Sequence, residues 1–202
     1  VLLRPDSQKA MMLSRLLRNL LVMAIGILLH LPATADVISV KSVQIDQADD
    51  GFVLNADFEF DLTSRLEQAL NSGVSLTFVV EFELTRPRWY WFDEKAASER
   101  LQIKLSYNPL LRQYRLSTGA LHQNFSSLAD AMRTLSRVRS WQVMERDRVR
   151  PEASYVASVR MRLDTTQLPK PFQLSALTNR DWNLSSEWRR QLFPAPDEAG
   201  PK

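Results

Sequence analysis

Residues 73–93, G-V-S-L-T-F-V-V-E-F-E-L-T-R-P-R-W-Y-W-F-D, constrain the chain most. Val74, Leu76, Phe78, Val80, Phe82 and Leu84 fall on one face. Ser75, Thr77, Glu81 and Glu83 fall on the other, with Val79 the one exception. A period of two over this length, rich in β-branched and aromatic side chains, predicts a long central strand with one face on a core. Its continuation, residues 86–92, is the densest cationic and aromatic run in the sequence. If the register simply continued, Arg86 and Arg88 would turn toward the core without partners, which is costly. A bulge or bend at Pro87 that swaps the faces is therefore expected, putting Trp89 and Trp91 inside and Arg86 and Arg88 outside. In that case the tryptophans pack and the arginines pair with carboxylates. Alternatively, Arg86, Arg88, Trp89 and Trp91 form a binding surface for an anionic group, a sugar ring or a partner segment.

The same alternation recurs along the chain. Residues 37–45 predict a first strand whose pattern slips between Val40 and Val43, as a bulge would cause. Asp49-Asp50-Gly51 predicts a turn into a second strand over residues 52–62. Ser64 and Glu67 make a capping box for a short helix that ends at Gly73. Residues 94–100 predict a loop or a helical turn, and Leu101, Ile103, Leu105 and Tyr107 a strand broken at Asn108-Pro109. Further strands are expected over residues 112–118 and 120–125. Ser127 and Asp130 then open a second helix, to about Val138. A short strand over 141–144, a charged loop over 145–151 and a long strand over 155–163 follow. Leu168-Pro169-Lys170-Pro171-Phe172 predicts an extended connector, and residues 172–188 a last strand or two. The expectation is a mainly β protein, an antiparallel β-sandwich with immunoglobulin-like layers and two short helices. One domain spans residues 36–193, with a disordered tail over 194–202.

The first 35 residues require separate treatment. Arg15 and Arg18 precede a 12-residue apolar run over residues 20–31, shorter than the roughly 20 residues a helix needs to span a bilayer. Ala33 and Ala35 then give an A-x-A cleavage pattern. Residues 1–35 read as a signal peptide, with 1–10 upstream of the true start at Met11-Met12, and the product as periplasmic. Residues 1–35 carry four of the 26 Lys and Arg and one of the 23 Asp and Glu, so the remainder holds 22 of each and is neutral. The basic balance belongs to the export signal, and nucleic-acid binding loses its support in composition. Membrane contact is expected only through that signal before cleavage.

Composition also narrows the chemistry. Without cysteine, and with His122 alone beyond the signal, His/Cys metal sites are not available and no cofactor is expected. His122 lies close in sequence to Ser126 and Ser127, but neither serine sits in a nucleophile elbow. Four glycines beyond residue 35 and no Gly-rich loop argue against nucleotide binding. Paired carboxylates remain as an enzymatic route. Asp57, Glu59 and Asp61 line one strand face and Glu81 and Glu83 another, where solvent-facing charge paired across strands is the simpler reading, with Arg160 and Arg162 as natural partners. The expected function is binding without catalysis. A small-ligand or glycan-binding sandwich is the alternative, and a two-carboxylate hydrolase a further one.

Five motifs together resemble a known family: R-x-R-W-Y-W at 86–91, L-S-Y-N-P-L-x-R-Q-Y-R at 105–115, F-x-S-L-x-x-A at 125–131, L-P-K-P-F-Q at 168–173 and W-x-L-S-S-x-W at 182–188. The family is one of exported Gram-negative proteins with a domain of unknown function, often encoded beside a nitrogen-regulation-type membrane sensor kinase. The resemblance implies an exported domain linked to membrane signalling, as an accessory of a membrane sensor kinase, and assigns no catalytic residue. The expected partner is an envelope or membrane protein. Cleavage after Ala35 predicts Asp36 as the mature N-terminus. Intact-mass measurement on the native protein checks this, and a species that keeps residues 20–31 would contradict it.

Overall fold

Strand β3, Leu76–Arg86, holds the centre of the structure and pairs along both edges. The computed structural model describes residues 38–88, 90, 92–150 and 153–194. The expected export signal and tail fall outside them, apart from Pro194. In chain order the elements are β1 Ser39–Ala48, β2 Gly51–Glu59, α1 Ser64–Asn71, β3, β4 Glu94–Asn108, β5 Gln113–Thr118, β6 Leu121–Phe125, α2 Leu128–Leu135, β7 Arg137–Glu145, β8 Ser154–Leu163, α3 Lys170–Thr178 and β9 Arg189–Pro194. They form two antiparallel sheets, β1-β2-β7 and β6-β5-β4-β3-β8-β9. This is the two-layer, mainly β architecture that the alternation predicts.

The core lies between the inner faces of the two sheets. Leu76, Phe78, Val80, Phe82 and Leu84 of β3 are buried there with Leu54, Ala56 and Phe58 of β2 and Tyr155, Ala157, Val159 and Met161 of β8. Aromatic contacts bridge the layers: Phe60 lies 5.4 Å from Phe78 and Phe52 lies 5.3 Å from Phe193, centroid to centroid. With no cysteine in the chain, this packing stands without covalent help.

Local departures from the sequence reading each have a physical cause. The expected bulge in β1 is present, since Val40 pairs with Phe58 and Ser42 with Asp57. The cap of α1 is Thr63 rather than Ser64. Its extended backbone lets Oγ1 accept from the Leu66 N–H at 3.3 Å, while its own hydroxyl donates to the Asp181 carbonyl. Residues 94–100 are strand, not loop. Leu84 pairs with Ala97 and Thr85 with Lys95, so Ala96 is an extra residue on β4 that breaks the alternation. This irregularity also precedes Pro87, where the bend was expected. α2 ends at Leu135, and Val138 belongs to β7, opposite Ala56. There Arg139 and Ser140 face Asn55 alone, and Ser140 takes a φ of 49° with its N–H on the Asn55 side chain.

The largest departure is α3. The connector expected over 168–172 is instead the start of a helix, which makes three helices among the described residues. Pro169 caps it and Pro171 lies in its first turn, where the missing N–H would have had no partner anyway. β9 accordingly begins only at Arg189, and within 172–188 only an isolated bridge between Arg162 and Ser185 joins the sheet.

Phe78 is fully buried between the layers. Phe78→Ala should cost about 3–5 kcal/mol, the range for truncating a core phenylalanine. A denaturant titration measures this, and a loss below about 1 kcal/mol would be incompatible with the position described.

Candidate functional site

The cationic run at the end of β3 is held by one carboxylate. Arg86 and Glu94 are cross-strand partners, and both Arg86 and Arg88 donate from Nη2 to Glu94 Oε2. The hydrogen bond from Arg88, helped by Arg86 and opposed by partial desolvation, holds the Glu94 carboxyl below its usual range. Both arginines are half-buried in this arrangement. Trp89 and Trp91, the other candidate site residues, lie outside the described residues, while Tyr90 and Phe92 between and beyond them are exposed.

A second cluster, on the outer face of the six-stranded sheet, was only half visible in the sequence. Alternation places Glu81 on the solvent-facing side, yet its side chain is only 6% exposed. The reason lies in the register. Glu81 is opposite Arg100 on β4 and Arg160 on β8, with Arg162 the next outward residue along β8. Arg160 Nε donates to Glu81 Oε2, Arg162 Nη2 donates to Oε1 at 3.3 Å, and Arg100 Nε lies 3.4 Å from Oε1. The guanidiniums cover the carboxylate. Arg160 in turn stacks on Trp188, 4.5 Å from the ring centroid, and Arg162 stands 3.7 Å from Asp164. Burial pushes the Glu81 carboxyl up, but the hydrogen bonds and charge of Arg160 and Arg162 outweigh it, so it titrates below its usual range.

The pairing of Arg160 and Arg162 with the β3 carboxylates was legible from the sequence. Arg100 was missed because its segment read as a loop, and Trp188 because nothing in its spacing placed it over β8. Only its motif, W-x-L-S-S-x-W, marked it. Against Glu81, Glu83 and Asp164, this face carries Lys95, Arg100, Lys104, Arg160, Arg162 and Arg190. The balance is cationic, and Arg100 is the most open of the three arginines around Glu81, with 69% of its side chain exposed. Beside the cluster is a polar depression of about 330 Å³ lined by Thr77, Gln102, Lys104, Ser117 and Gln167.

The remaining candidates from the sequence are engaged in pairing. Asp57 accepts from Arg139 and from Ser42 at 2.7 Å, and those bonds hold its carboxyl below the usual range. Glu59 pairs with Lys41. Asp57, Glu59 and Asp61 line a cleft of about 950 Å³ between β2, α1 and α2. Asp57, Glu81 and Glu94 are all shifted downward, opposite to the shift a proton-donating acid needs. His122 Nδ1 lies 3.0 Å from Ser117 Oγ on the exposed β5–β6 hairpin, whereas Ser127 is the cap of α2. Among the described residues no three His, Cys, Asp or Glu side chains are arranged to hold a metal, and no helix is long and apolar enough to cross a membrane.

Fold and surface together define an antiparallel two-layer β protein whose larger sheet presents a cationic outer face. The chain belongs to the family described as a domain of unknown function (DUF4390), which matches residues 35–191. Comparison with characterised proteins and with solved structures returned no match.

Because the folded-state value of Glu81 is depressed, its stabilising contribution is present above the unfolded value of about 4.3 and is lost as pH falls through the folded value. Glu81→Gln should cost about 1.5–3 kcal/mol at neutral pH, the range for hydrogen bonds to charged groups. The gap between the two proteins should narrow as pH drops below about 4. Parallel denaturant titrations at pH 7 and pH 3 check it, and a pH-independent gap would contradict the assignment.

Proposed function

We propose that this is an exported, non-catalytic binding protein that presents the outer face of its six-stranded sheet to an anionic group on an envelope partner. The observation that carries this reading is the ratio at Glu81: three guanidiniums converge on one carboxylate. The carboxylate and the sheet register bring the arginines together, the Trp188 ring stacks on Arg160, and Arg100 keeps 69% of its side chain exposed. Guanidiniums fixed in this way favour paired recognition of carboxylate or phosphate over a diffuse charge effect. The family resemblance supports an export signal over residues 1–35, a periplasmic location and an accessory role beside a membrane sensor kinase.

The polar depression beside Lys104 favours a second reading, in which the same face holds a small polar ligand or glycan. Both place recognition on β3, β4 and β8 rather than on Arg86 and Arg88, whose guanidiniums are committed to Glu94.

A photo-crosslinking residue in place of Gln102, on the outer face beside Arg100, should capture an envelope protein in intact cells. Arg100→Gln combined with Lys104→Gln should abolish that product while Tm stays within about 4 °C of wild type, a shift worth ~1 kcal/mol in a domain of this size. A folded double variant with an unchanged crosslinking pattern would overturn the proposal.

A further inference from the structure

The six-stranded sheet is not continued evenly beside β4. β3 pairs with β4 from Leu105 to Glu94, but β5 pairs with it only between Lys104 and Asn108. Among the described residues, then, positions 94–103 have a strand on one side only, and no other backbone hydrogen bond reaches them. At about 3.3 Å per residue this leaves roughly 30 Å of strand edge without a paired strand. β7 runs alongside it, across a polar groove lined by residues 95–99 and 142–145. Such edges are commonly blunted by charge and by bulges. This one carries Lys95, Glu99, Arg100 and the extra residue Ala96, which discourage indiscriminate pairing.

Two features turn a blunted edge into a selective one. On its inner face, next to Leu101 and Ile103, a groove of about 540 Å³ opens between β4, the β5–β6 hairpin and β7. Leu116, half-buried Trp141 and the exposed Leu121 form its apolar wall. On its outer face stands Arg100, the least covered guanidinium of the Glu81 cluster. One strand laid along this edge would put alternate side chains into both environments.

We propose that an extended segment of a partner protein adds antiparallel to the unpaired edge of β4, in the groove between it and β7. This rests on the anion-binding reading above and supplies the anion: an acidic side chain opposite Arg100. Directly opposed residues in an antiparallel pair share a face, and opposite charges there are favourable. Apolar residues opposite Ile103 and Leu101 then enter the groove, and a basic residue meets Glu99. Read from its N-terminus, the segment has the pattern apolar, any, apolar, acidic, basic. Backbone pairing supplies affinity and the alternating side chains supply selection. A second copy paired about Arg100 would set Arg100 against Arg100 and Glu99 against Leu101, and one paired about Leu101 would set Glu99 against Ile103, so neither register gives Arg100 an acidic partner.

The test uses an end-capped, fluorescently labelled peptide, T-V-T-I-E-K-T, and the full mature chain. The peptide should bind, and T-V-T-I-K-E-T at least tenfold more weakly. Arg100→Glu should abolish that preference, because each peptide then makes one favourable and one repulsive pair, and Arg100→Glu with Glu99→Lys should reverse it. N-methylation of alternate peptide amides should abolish binding, and the bound peptide should slow hydrogen exchange at residues 94–103 at least tenfold. Absence of binding up to millimolar peptide overturns the proposal. Binding of the acidic peptide that survives N-methylation without amide protection overturns strand addition but leaves the anion-binding reading standing. Amide protection without charge preference overturns the role of Arg100 and that reading with it. A concentration-dependent dimer protected at the same amides gives the edge to a second copy and also overturns the proposal.

Discussion

The structure depends on pairing β3 along both edges at once. Its inner face contributes five buried apolar side chains to the core, and its outer face places a carboxylate at the middle of the sheet. A buried carboxylate alone would be severely penalised. Glu81 is tolerable because the strands that complete the sheet, β4 and β8, also bring Arg100, Arg160 and Arg162. The same register that packs Phe78 and Phe82 therefore neutralises Glu81, so core and surface specify one alignment. A slip of one residue would turn the apolar set outward and strip Glu81 of its arginines.

Where period-two alternation was intact, the fold was legible: β2, β3, β8 and the second half of β4 follow it closely. The sequence hid elements at irregularities. Ala96 breaks the pattern in β4, and the pair Arg139 and Ser140 breaks it in β7, so both strands looked shorter than they are. Leu135 and Val138 sit three apart, which mimics one more helical turn. In α3, prolines that read as helix-averse occupy the one part of a helix that tolerates them. The site suffered from a different blindness. Alternation says which face a residue is on, not how covered that face is, so Glu81 read as solvated when three long cationic side chains bury it.

The two clusters of arginine differ in what they leave available. Arg86 and Arg88 converge on Glu94, one carboxylate between two guanidiniums. Around Glu81 the cations outnumber the acids, on the outer face beside a strand paired along both edges. A rigid sheet holds such groups with little left to order on binding, which favours affinity per contact.

The hydroxyl of Thr63, which starts α1, ends on the carbonyl of Asp181, 118 residues later in the chain. β2 likewise waits for β7, and β3 for β8 some 80 residues downstream. A chain emerging from its N-terminus presents the hairpin β1–β2 and the apolar face of β3 long before their partners exist. Topologies dominated by such distant contacts fold in milliseconds to seconds rather than microseconds. Until β8 arrives, β3 is paired with β4 on one side only and its other edge is exposed, so the period of greatest aggregation risk is set by the order of strands along the chain.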